Sequence, residues 1–147
     1  MAETRKADAT WSGDLLKGHG TVTASTTHVF SDLPTTWASR IGEPAGVTSP
    51  EELLAAAHAS CFSMACSNEL AKAGTPPTSL SVSVAIAGDK LEAGWTVISA
   101  AITVRGTVPG ATDASFREAA EKAKSGCPIS RALKGNVELS VDATLEG

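Results

Sequence analysis

Residues 49–68 read Ser49-Pro-Glu-Glu-Leu-Leu-Ala-Ala-Ala-His-Ala-Ser-Cys-Phe-Ser-Met-Ala-Cys-Ser-Asn68, and three signals converge at the front of that run. Ser49 is a good N-cap, Pro50 suits the first helical position, and Glu52 stands three residues after the cap to complete a capping box. A helix therefore begins here and should run to about Ala73, where Gly74 and the Pro76-Pro77 pair stop it. Between Leu53 and Asn68 there is no Asp, Glu, Lys or Arg, and most positions are Ala, Leu, Phe, Met or Cys. A helix of that composition is covered on nearly every side. One sheet covers one face and a second helix only part of another, so a small chain needs help to enclose it. The expectation is a homodimer whose helices pack between two sheets.

Working outward, Ala9 to Leu16 and Thr21 to Phe30 read as the arms of a hairpin around the Lys17-Gly-His-Gly20 turn. Gly18 and Gly20 serve that turn, because the β-branched residues after them do not open the helix a phosphate cradle needs. Ser31 to Ser49 reads as loop, with Pro34, Gly42, Pro44 and Gly46. Beyond the helix, Leu80–Ile86 and Trp95–Val108 read as two antiparallel strands joined near Gly88 to Gly94. Thr112 or Asp113 caps a second helix that runs to Lys124, with Gly126 as its stop. Pro128 then opens a short helix through Leu133 with Cys127 at its N-cap, and Asn136–Leu145 alternates as a closing strand. Strands, then helices, then strands make an α+β fold.

A length of 147 residues points to a single domain, 1–147, large enough to bury a core without staples. Apolar residues at 42% and charged residues at 19% exclude disorder as the default. The net charge of −4 and the lack of a Lys/Arg cluster argue against nucleic acid as a partner. No apolar stretch is long enough to span a bilayer, and the start Met1-Ala-Glu-Thr-Arg-Lys-Ala-Asp8 lacks the apolar segment of a signal peptide. A cytoplasmic protein with no membrane association is expected.

The three cysteines, Cys61, Cys66 and Cys127, form no Cys-x-x-Cys pair, and the three histidines, His19, His28 and His58, have no metal-ligand spacing. No metal site is expected. Cys61 sits mid-helix, where a cysteine commonly packs as a small hydrophobe, and Cys66, five positions on, points elsewhere and reads as structural. Cys127 differs, since a helix N-terminus presents free N–H groups that favour a thiolate or simply tolerate a weak cap. His58, three residues before Cys61, could share its face as a Cys–His pair or be a satisfied core histidine. Glu51 and Glu52 suit the first helical turn on electrostatic grounds alone, and neither Arg40 nor Arg131 could be singled out unaided.

Thr48–Ala65 and Lys124-Ser-Gly-Cys-Pro-Ile-Ser-Arg-Ala-Leu133 together resemble the two signature segments of the osmotically inducible protein C (OsmC) family of organic hydroperoxide reductases. The resemblance extends to Trp11-Ser-Gly-Asp14, to Pro109-Gly110 and to the final strand, and favours the OsmC branch over the organic hydroperoxide resistance branch. It implies an OsmC-like α+β fold, with antiparallel sheets wrapped around central helices in an intertwined homodimer. It further implies that Cys61 is peroxidatic and Cys127 resolving, that Glu51 is the acidic residue of the Pro-Glu-Glu motif, and that Arg40 is the catalytic arginine from the preceding loop. Cys66 departs from the family pattern.

The physical logic of those roles is simple. A thiolate attacks the O–O bond, and a cysteine in apolar surroundings stays protonated unless a cation lies beside it. Arg40, fixed by Glu51, is the expected cation for the Cys61 thiolate and the departing alkoxide, with Arg131 next in line. Cys127 would condense with the resulting sulfenic acid, and an external dithiol, which the resemblance suggests is a lipoyl protein or small dithiol, would reset the disulfide. No metal, haem or flavin cofactor is needed. Leu53, Leu54, Phe62, Ile129 and Leu133 are the expected lining of an alkyl pocket. Two other readings stay open at this stage: a Cys61–His58 acyl-transfer enzyme and a non-catalytic apolar-ligand module.

Overall fold

A computed structural model describes all residues, 1–147, and groups them into two compact units, Met1–Leu53 and Leu54–Gly147. In the first unit β1 (Asp8–Ser12) pairs antiparallel with β2 (His19–Thr23), which pairs antiparallel with β3 (Leu33–Thr35). The hairpin is where the sequence put it, with shorter arms and an earlier turn. The reversal starts at Gly13, with φ at 90°, and is closed by the Asp14 carboxylate accepting from the Lys17 N–H at 2.7 Å. Gly18 only completes it, and Gly20 lies inside β2, where a Cβ would stand 2.7 Å from the Trp11 ring. The second arm ends at Thr23 because the His28 N–H closes a turn onto the Ala24 carbonyl at 2.7 Å, with His28 at positive φ.

The segment read as loop holds β3 and a short helix, α1 (Trp37–Ile41). Pro34 fits because β3 is an edge strand, where a missing N–H can face outward. Thr36 caps α1 by accepting from the Ser39 N–H at 3.0 Å, and Ser39 Oγ bonds back to the Thr36 N–H. That reciprocal Thr-x-x-Ser box is a start signal which the flanking Pro34 and Gly42 obscured.

The long helix α2 (Pro50–Lys72) begins in the first unit and continues through the second. Ser49 Oγ accepts from the Glu52 N–H at 3.2 Å, but the Glu52 carboxylate turns to the Thr48 hydroxyl at 2.6 Å, so the box is closed through Thr48. Gly74 at φ 85° ends the helix as expected. One face is open: Ala56, Ala57, Ser60 and Met64 are exposed, Met64 by 69%. No helix is long and apolar enough to cross a membrane.

In the second unit β4 (Ser79–Leu91) and β5 (Gly94–Thr107) form a longer hairpin than expected, passing Gly88 and turning at Glu92–Ala93. Gly88 does not break the strand; it takes up a bulge where the Trp95 ring lies 2.6 Å from where a Cβ would be. Helix α3 (Asp113–Gly126) is capped by Thr112, and α4 (Pro128–Leu133) follows after the single residue Cys127. The last strand, β6 (Glu138–Leu145), pairs with β5 in parallel, which corrects the all-antiparallel expectation for this sheet. The physical reason is the connection: α3 and α4 carry the chain back to the starting end of β5, and a helical crossover delivers a parallel strand. Phe62, Cys66 and Leu70 of α2, Ile102 and Val104 of β5, and Phe116 and Ala120 of α3 form one core. The α+β class stands.

Candidate active site

The first unit brings together two residues singled out from sequence. Arg40 projects from α1 and Glu51 from the first turn of α2, and Arg40 Nε donates to Glu51 Oε1 at 2.6 Å and Oε2 at 3.1 Å. The carboxylate is enclosed, with its side chain 10% exposed, while the guanidinium is about one-third exposed. α1 is tied to the entry of α2 by Ser39 Oγ, which donates to the Thr48 carbonyl at 2.9 Å. The Arg40 guanidinium also sits 5.7 Å from the Trp37 ring, a cation–π contact between residues three apart on one short helix. Trp37 had not been singled out, although the i, i+3 spacing of an indole and a guanidinium carries that signal. Trp11, Leu15, Trp37 and Arg40 line an apolar cavity of about 340 Å³.

The second unit brings together the two cysteines. The Cys127 thiol donates to Cys61 Sγ at 2.8 Å, joining residues 66 positions apart. Cys127 is fully buried in the core and makes no side-chain cap bond to α4, its sulfur being directed at Cys61. Burial pushes the Cys61 thiol above the ordinary cysteine range, and the neighbouring Cys127 sulfur adds to that. Two groups of α4 pull the other way, the Ile129 backbone N–H bonded to the sulfur and the Arg131 guanidinium. Cys66 is a core residue whose thiol burial pushes up to about 11, in keeping with an inert side chain.

His58 is fully buried, and its Nε2 bonds the Ser130 hydroxyl at 2.8 Å. Burial lowers its pKa, and its Nδ1 has no partner. The acyl-transfer reading needs His58 on Cys61, but the hydrogen bond His58 makes goes to Ser130. The alkyl lining expected from sequence is also corrected for Phe62, which is sealed in the core because it faces the sheet. The cleft that opens on Cys61 is lined instead by Met64, Ala65, Ala123, Gly126 and Pro128 with a polar rim of Asn68, Glu69, Lys72 and Lys122. No group of three or more His, Cys, Asp or Glu side chains is arranged to hold a metal ion.

This arrangement can be set beside known proteins. The family model described as OsmC-like protein matches residues 43–142, which include Glu51, Cys61 and Cys127. The chain belongs to the OsmC-like protein family. It is 39% identical over 139 residues to the peroxiredoxin OsmC of Escherichia coli K12, covering 95% of this chain and 96% of that one. It is 28% identical over 95 residues to an organic hydroperoxide resistance protein of Xanthomonas axonopodis, covering 64% of this chain and 65% of that one. Its fold resembles that of the organic hydroperoxide resistance protein OhrB of Bacillus subtilis, with a TM-score of 0.73 at 23% identity over 95% of this chain and 98% of that one.

Proposed function

We propose that this OsmC-like protein is a thiol-dependent peroxidase that reduces organic hydroperoxides to alcohols. The observation that carries the proposal is the 2.8 Å contact between the Cys61 and Cys127 sulfurs, which leaves little movement between dithiol and the roughly 2.03–2.05 Å bond of a disulfide. The full-length likeness to a peroxiredoxin supports it.

In the proposed reaction the Cys61 thiolate attacks one peroxide oxygen, the O–O bond breaks, and its electron pair leaves with the alkoxide, which takes a proton to become the alcohol. Cys61 is left as sulfenic acid. Cys127 attacks that sulfur, an S–S bond replaces the S–O bond, and water departs carrying the Cys127 proton. An external dithiol, such as a lipoyl protein, returns two electrons and two protons, and the reducing cytoplasm is the compartment that keeps such dithiols available. The Ile129 N–H and Arg131 act against the burial of Cys61. Arg40 is proposed as the cation that stabilises the developing negative charge, with Glu51 fixing its fork. The apolar cavity walled by Trp11, Leu15 and Trp37 beside Arg40 suits an alkyl chain better than hydrogen peroxide. A homodimer is proposed from the exposed α2 face at Ala56, Ala57, Ser60 and Met64, a charge-free patch that a second copy would cover.

The test is stoichiometric cumene hydroperoxide added to reduced protein, followed by cysteine mapping by mass spectrometry. A Cys61–Cys127 disulfide with consumption of the peroxide is expected. Unmodified thiols beside undiminished peroxide would overturn the reading.

A further inference from the structure

The reaction as written leaves the buried His58–Ser130 bond without a task. His58 stands three residues before Cys61 on α2, and Ser130 stands three residues after Cys127 on α4. The bond at 2.8 Å links residues 72 positions apart, and both side chains are essentially sealed from solvent, at 0% and 1% exposure. It therefore lies one helical step from the sulfur contact on both helices. We propose that His58 and Ser130 are a positioning pair for the resolving step: they hold α4 in register on α2, so that the Cys127 sulfur stays against Cys61 while the sulfenic acid waits to condense. This rests on the peroxidase reading.

Three observations carry it. α4 has six residues and no side-chain N-cap bond, so it has no stability of its own and takes its position from what it is tied to. The Arg131 side chain bonds back to the Gly126 carbonyl within its own segment and does not tie α4 to α2. The other ties between the helices, the thiol contact and the Ile129 N–H on the Cys61 sulfur, both end on the sulfur that gains an oxygen, and the His58–Ser130 bond is untouched by that chemistry. If α4 drifts at that moment, a second hydroperoxide molecule can transfer its oxygen to the sulfenic acid, giving sulfinic acid and an alcohol in place of the disulfide and water.

The experiment compares the parent with Ser130→Ala, His58→Leu and His58→Gln, the last keeping an amide close to the place of Nε2. Three quantities are read: the rate of peroxide loss in a single turnover, the lifetime of the sulfenic acid by dimedone trapping, and the effective concentration of the two thiols in a glutathione redox buffer without peroxide. For Ser130→Ala and His58→Leu the sulfenic acid should last about tenfold longer and the effective concentration should fall about tenfold, as loss of one buried bond implies. Peroxide loss in the first turnover should change by no more than about twofold, and His58→Gln should recover most of the difference. Parent-like lifetimes and effective concentrations in Ser130→Ala would overturn the proposal. So would equal slowing of both steps, which marks a merely structural bond. Ser130→Ala alone decides the matter if His58→Leu does not fold. A parent that forms the disulfide in glutathione but not with hydroperoxide would refute the peroxidase reading, and the redox-buffer comparison would still decide the role of the pair.

Discussion

The Arg40–Glu51 pair and the Cys61–Cys127 pair are held in place by opposite means. In the first unit no apolar side chain is fully buried; the enclosed side chains are the polar Ser39 and Glu51. Arg40 is positioned by hydrogen bonds, a capping box and an indole face. In the second unit Cys127 belongs to the core with Phe62, Ile102 and Phe116, and Cys61 packs against it. A charged fork is directional and can be aimed by a few bonds at a half-open surface. Sulfur has no such directionality, and two thiols from distant segments meet only where close packing leaves them no other place.

The largest effect should come from breaking the packed side. Phe116→Ala empties a fully buried site whose ring lies against Gly106, and should cost about 3–5 kcal/mol in urea unfolding. Trp11→Ala in the first unit, where the ring is 44% exposed, should cost less than about 1.5 kcal/mol. Equal costs would erase the contrast.

Next comes a change that should strike chemistry harder than stability. Arg40→Ala takes the guanidinium away from the enclosed Glu51 carboxylate and should lower stability by about 1–3 kcal/mol, less than Phe116→Ala. Turnover should fall about 10²-fold, the usual loss on removing one donor to a developing anion. The pH at which Cys61 alkylates should rise. If alkylation is unmoved, the Arg131 guanidinium is the cation that governs the thiolate, and Arg131→Ala should show the shift instead.

The smallest effect is a pH dependence placed in the packed unit. Burial holds the pKa of His58 below its ordinary 6.5, so as pH falls through that value the unfolded chain takes up a proton that the folded chain resists. The stability this contributes is present above pH 6.5 and lost below it. Melting temperature should therefore drop on acidification, and the drop should be shallower in His58→Gln.

The legible parts of the sequence were the ones whose causes lie within a few residues. Ser49, Pro50 and Gly74 marked both ends of α2, and Cys127-Pro128 marked the start of α4. The same kind of signal at Thr36 and Ser39 was present but masked by Pro34 and Gly42, so α1 and β3 passed as loop. The parallel pairing of β6 was not legible, because alternation tells which face a residue takes and not which neighbour the strand finds. Of the site, Cys61, Cys127, Glu51 and Arg40 were named through two signature segments and a loop position, whereas Ser130 and Trp37 drew no notice and Ile129 was expected only as alkyl lining, not for its N–H on the Cys61 sulfur. Their roles depend on partners that local spacing does not reveal.

By itself the sequence determined α2, α3 and α4 and the chemical types available for reaction, since those follow from backbone hydrogen bonding and residue chemistry over a few positions. Only the tertiary structure decided that a sulfur at 61 meets a sulfur at 127, and that a histidine at 58 meets a hydroxyl at 130. Contacts across 66 and 72 positions arise from how α2, α3 and β5 bury their apolar faces together, a property of the whole core and not of any one segment.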